Sequence, residues 1–114
     1  MNQYTNGSVA EHDMFEIQLG PAGEVMMAGR LDATQCEMAL KFLEGLPEQA
    51  APRTIDLARL EYIASAGLRV FLLAQKRSKA SGTALKLINV APQVHDIFRY
   101  AGFDRIFDIT RVGS

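Results

Sequence analysis

Residues 62–90, "YIASAGLRVFLLAQKRSKASGTALKLINV", decide the reading of this chain. An apolar run is broken at "SAG" (65–67), resumes as "LRVFLLA", turns polar at "QKRSKAS", and ends in the alternating segment "ALKLINV". The small Ser-Ala-Gly turn marks a helix start, because serine is a preferred N-cap residue and glycine permits close backbone approach. Ser81-Gly82 marks its end. The stretch therefore predicts a helix over 65–81 followed by a strand, which is one half of a strand-helix-strand unit.

Working outward, "RTIDL" (53–57) reads as the strand before that helix, with Ile55 and Leu57 on its apolar face. Earlier, "MFEIQLGPAGEVMMAGRLD" reads as two strands around the turn Gly20-Pro21-Ala22-Gly23, with Phe15, Ile17 and Leu19 alternating with polar neighbours. Thr34 and Glu37 form a capping-box pattern ahead of a helix whose buried stripe is Cys36, Ala39, Leu40 and Leu43. Beyond the central unit, Pro92 suits the first position of a third helix, with Val94, Ile97, Phe98 and Ala101 as its apolar face. Gly102 supplies the left-handed residue after it, and "RIFDIT" is a candidate last edge strand.

The order β-β-α-β-α-β-α, with that closing strand, predicts an α/β domain. Its mixed sheet opens with a hairpin and carries helices packed on one side. Phe15, Ile17, Leu40, Ile55, Leu57, Leu72, Leu87, Ile97 and Phe98 are the expected core. Residues 1–12 lack periodicity and read as a flexible N-terminal arm, leaving 13–114 as the domain.

Composition narrows the function. The chain has 114 residues, 48% of them hydrophobic and 22% charged, with a net charge of −1. That balance offers no electrostatic footprint for nucleic acid or an anionic membrane. No apolar run is long enough to span a bilayer, and the first residues lack the basic start and apolar core of a secretory signal, so a cytoplasmic protein is expected. One cysteine excludes an internal disulfide, and Cys36 on a helical stripe reads as a small core residue. His12 and His95 stand far apart, without ligands at zinc spacing; no metal and no cofactor are expected.

Catalysis finds little support. Ser65 lacks the leading glycine of a nucleophile elbow, and no base is placed near it by the sequence. No glycine-rich loop matches a nucleotide fingerprint, and Asp56, Glu61, Asp104 and Asp108 read as surface or turn residues. By local chemistry Ser65 is a helix cap. A helix N-terminus also tolerates an anion, so a serine there could carry a phosphate without unfolding its helix.

Three segments in register, "GRLDAT" (29–34), "IASAGLRVFLLAQKRSKASGTALKLINV" (63–90) and "PQVHDIFRYAGFDRIFDI" (92–109), resemble the bacterial STAS domains, the anti-sigma factor antagonists and their relatives. The resemblance covers about residues 14–110 and implies a STAS-like (SpoIIaa-like) fold. In the family pattern Asp-Ser-Ser-Gly-Leu, the phosphorylatable serine lies two residues before glycine, which places it on Ser65, two before Gly67. Asp32 matches the family's acidic residue near that serine. Ala64 stands where the family often has Asp or Ser, and Ala66 replaces the second serine.

The resemblance further implies partner switching by a non-enzyme. The unphosphorylated domain would bind a serine/threonine-kinase anti-sigma factor with a GHKL-type ATPase fold and so free the sigma factor. The kinase would phosphorylate Ser65, and a serine phosphatase would restore it. Asp32, Ala64, Ser65, Ala66, Gly67, Leu68 and Arg69 would form the partner-binding surface. A docking subunit of a lipid-transport or stress-signalling complex, without phosphorylation, is the alternative the resemblance also carries.

Overall fold

The computed structural model describes residues 14–47 and 50–112; the expected N-terminal arm lies outside them. Strands β1 (Phe15–Leu19) and β2 (Val25–Leu31) form the opening hairpin and are followed by helix α1 (Cys36–Glu44). Next come β3 (Thr54–Ile63), a 3-10 turn at Ser65–Gly67, and α2 (Leu68–Ala80). The chain ends with β4 (Lys86–Val90), α3 (Pro92–Tyr100), a second 3-10 turn and β5 (Asp108–Arg111). The five strands lie in the order β1-β2-β3-β4-β5, with only β1–β2 antiparallel. This is the mixed sheet expected from the element order.

One face of the sheet is buried and the other open. Val25, Met27, Leu31, Ile55, Leu57, Leu60, Ile63, Leu87 and Val90 form the strand side of the core. Glu16, Gln18, Met26, Ala28, Asp56, Ala58 and Arg59 instead line a shallow depression on the open face. There the Arg30 guanidinium lies 4.3 Å over the ring of Tyr62, its cross-strand partner. On the buried face α3 lies over β3, and α1 packs on α2. Phe71 of α2 meets Phe98 of α3 edge to face at 5.2 Å, so the helices share one core.

β3 runs well beyond the expected "RTIDL". Its register against β2 shifts twice, so its buried residues fall at Ile55, Leu57, Leu60 and Ile63 instead of strictly alternating. Each bulge inserts a residue and breaks the two-residue period that would reveal the strand. Gly29 sits at the second shift with φ +90°, and a side chain there would run into the Met14 carbonyl.

Two further expectations are corrected. Leu72 is 45% exposed rather than in the core. The buried stripe of α2 is Val70, Phe71, Ala74 and Ser78, and Leu72 falls on the opposite crest with Arg69 and Lys76. The capping box does not form either: α1 begins at Cys36 with Gln35 as N-cap and no side-chain cap bond. Thr34 instead donates through its N–H and hydroxyl to Asp32 Oδ1, at 3.0 and 2.8 Å, in an Asx-type turn.

The far end of α2 is tied down. Ser78 is fully buried and donates its hydroxyl to the Pro52 carbonyl. Arg77 Nη2 donates to the Leu46 carbonyl at 2.6 Å. Pro92 occupies the start of α3, and Gly102 adopts φ +78° after it, as the sequence predicts.

Candidate functional site

The parallel strands β2 and β3 end side by side, with Leu31 opposite Ile63. The Ala64 N–H extends this pairing by donating to the Leu31 carbonyl at 2.9 Å. The chain then turns at once: Gly67 N–H donates to the Ala64 carbonyl at 2.8 Å, closing the 3-10 turn. Gly67 is buried under this turn, where a methyl group would lie 3.0 Å from the Leu31 and Ile63 side chains and the Leu31 carbonyl. A larger residue would lift the turn off the sheet.

Ser65 is consequently presented at the top of this turn, exposed. It is not the N-cap of α2. The turn is entered from Ala64 in extended conformation, α2 proper begins at Leu68, and neither start has a side-chain cap bond. Proximity of Gly67 to the strand ends, rather than hydroxyl capping, fixes the local geometry. Among the described residues the Ser65 hydroxyl makes no hydrogen bond, so it is left unspent on the fold.

Asp32 follows Leu31 directly, so the same strand pairing brings it to the edge that carries Ala64 and Ser65. It is half-buried, with Oδ1 accepting from Thr34. Its carbonyl accepts from Gln35 N–H and from the Cys36 thiol, each at 3.1 Å. Burial pushes the Cys36 thiol up from its ordinary pKa; the Asp32 charge adds to this and the Arg69 charge opposes it. An anion and a cation of this region thus act in opposite senses on the same thiol.

Of the sequence-derived candidates, Ser65 and Arg69 are exposed, Asp32, Ala64, Ala66 and Leu68 are half-buried, and Gly67 is buried. Leu72, which the sequence pattern assigns to the core, is exposed on α2 between Arg69 and Lys76. It continues the face of α2 that carries Arg69 and Lys76. Among the described residues no cluster of three His, Cys, Asp or Glu could hold a metal, and no helix is long and apolar enough to cross a membrane.

The sequence model described as Mlab, STAS domain matches residues 17–110. The chain belongs to the STAS-domain family. The anti-sigma-B factor antagonist of Bacillus subtilis is 33% identical over 87 residues, covering 76% of this chain and 80% of that one. BtrV of Bordetella bronchiseptica, provisionally named an anti-sigma factor antagonist, is 44% identical over 55 residues, 48% of this chain and 47% of its own length. That match thus spans about half of each protein.

Solved structures share the fold. An anti-sigma factor antagonist from Mycobacterium paratuberculosis superposes with a TM-score of 0.74 at 16% identity, over 90% of both chains. The Bacillus cell fate determinant SpoIIAA in its phosphorylated form gives 0.60 at 21% identity, over 84% of this chain and 90% of that one.

Proposed function

We propose that this chain is an anti-sigma factor antagonist working by phosphorylation-controlled partner switching in the cytoplasm. The observation that carries the reading is Ser65 itself. It is exposed on a turn pinned to the sheet, and its hydroxyl makes no cap bond that phosphorylation would break. Identity to the Bacillus subtilis anti-sigma-B factor antagonist supports the same function.

In this mechanism the unphosphorylated chain binds a serine/threonine-kinase anti-sigma factor through Ser65, Leu68, Arg69 and Leu72, and the sigma factor is released. The kinase passes the γ-phosphoryl group of ATP to Ser65 Oγ. ADP leaves with the bonding electron pair, and the hydroxyl proton goes to a base on the kinase. Phosphoserine adds about −1.5 to −2 charges at this edge. The half-buried Asp32 already places negative charge there, and desolvating a second anion in the interface costs enough to release the partner. A serine phosphatase then hydrolyses the ester with water, restoring the hydroxyl and releasing phosphate. The chain supplies shape and charge, and ATP is bound by its partner.

The test is phosphosite mapping after incubation with the purified cognate anti-sigma kinase and ATP. Stoichiometric phosphate on Ser65, lost in Ser65→Ala, supports the mechanism; modification elsewhere contradicts it. Ala64, which puts a methyl group beside Ser65 where the family often has Asp or Ser, favours a second reading as a docking subunit without phosphorylation. Under that reading the kinase would leave Ser65 unmodified.

A further inference from the structure

Arg69 stands where helix electrostatics give no reason for a cation. It is the second residue of α2, whose first turn contains no acidic residue, and the positive end of the helix dipole lies there. Arg77 and Lys79, in the last turn, are where the dipole favours them. No acid on α2 compensates Arg69, because the chain has no Asp or Glu between Glu61 and Asp96. It is exposed, and the ion pair formed among the described residues is Arg99 with Asp96, not Arg69.

Two observations connect this cation with the Ser65 edge. The charges of Arg69 and Asp32 act on the same Cys36 thiol with opposite signs. Ser65 precedes it by four residues, about one helical turn, at the same edge. Ser65 opens the 3-10 turn that leads directly into α2, so an anion on it lies N-terminal to the Arg69 cation, the favoured order for such a pair.

Resting on the reading of Ser65 as a phosphosite, we propose that Arg69 is the arm that takes hold of the phosphate on phosphoserine 65. Phosphorylation then alters the interface twice. It adds an anion, and it withdraws the exposed arginine from the partner. Asp32 opposes the pair and Arg69 favours it, and the Cys36 thiol, bonded to the Asp32 carbonyl, lies beside them.

The test uses the full chain with phosphoserine inserted at position 65 during translation, so that no kinase is needed. Phosphorus NMR follows the second ionisation of the phosphate, ordinarily near pH 6. Arg69→Gln should raise that pKa by about 0.3 to 0.5 unit relative to the parent chain, and roughly 1 M salt should erase most of the difference. Arg69→Lys, which keeps the charge, should stay within about 0.2 unit of the parent, and Lys76→Gln should leave it unchanged. Equal pKa values for the parent and Arg69→Gln, or an equal shift from Lys76→Gln, would overturn the proposal. Either result would leave the phosphosite itself standing, while failure of the kinase to modify Ser65 would remove the switch without touching this measurement.

Discussion

The Leu31 carbonyl accepts a hydrogen bond from the Ala64 N–H at 2.9 Å, one residue past the last strand pair. This bond joins the acidic end of β2 to the serine turn after β3, and Gly67 is buried beneath it. Gly67→Ala should therefore destabilise the domain by about 1–3 kcal/mol, because backbone and two core side chains would have to yield at 3.0 Å. Urea unfolding measures this. Wild-type stability in the variant would show that the turn is not held as described.

Ser65→Ala should change stability by less than about 0.5 kcal/mol, as for a surface side chain with no structural partner. Sequence reasoning, which makes Ser65 an N-cap, expects a loss of about 1 kcal/mol. The structure replaces that expectation, since Ala64 enters the turn and no side chain caps it. A measured loss above about 1 kcal/mol would restore the capping role.

Leu72→Gln separates folding from docking. With 45% of its surface exposed, Leu72 contributes little to the core, so thermal unfolding should shift by no more than about 2 °C. Binding to the anti-sigma kinase should weaken by about 1–2 kcal/mol, the scale of a useful interface anchor. Unchanged affinity would place the interface elsewhere.

The main architecture was legible in the sequence, and the exceptions have physical causes. Pro92 and Gly102 announce the ends of α3 because each imposes a backbone preference by itself. The length of β3 is hidden by its two bulges: the first puts Leu60 out of phase with Ile55 and Leu57, and the second returns Ile63 to their parity. Leu72 does not declare itself because "LRVFLLA" is apolar nearly all round, and only tertiary packing selects Val70, Phe71 and Ala74. At the site, Asp32 and residues 64–69 could be grouped by family resemblance. The hydrogen bond that joins them depends on strand register, which no local pattern states.

Ser78→Ala should cost about 1–2 kcal/mol, because it leaves the buried Pro52 carbonyl without its hydroxyl donor. The same burial should keep Ser78 unphosphorylated in the folded chain. Phosphopeptide mapping that finds Ser78 modified under native conditions would contradict the packing of α2.

Cys36 should alkylate slowly at pH 8, since burial and the Asp32 charge hold its thiol above the ordinary value of 9.0. The raised pKa means that the folded state keeps its proton where the unfolded chain loses it. The associated stability is present below pH 9 and is lost as pH rises through the folded value. Iodoacetamide labelling in native buffer and in urea compares the two states. Equal rates at pH 8 would show the thiol to be unprotected.

The central claim is that charge at position 65 controls docking while the fold is unchanged. Isothermal titration of wild type, Ser65→Ala and Ser65→Asp against the cognate anti-sigma kinase tests it most directly, with circular dichroism confirming that all three are folded. Wild type and Ser65→Ala should bind alike, and Ser65→Asp should bind more weakly by about tenfold or more, through an anion set in the contact beside Asp32. Equal affinity for wild type and Ser65→Asp would contradict the account.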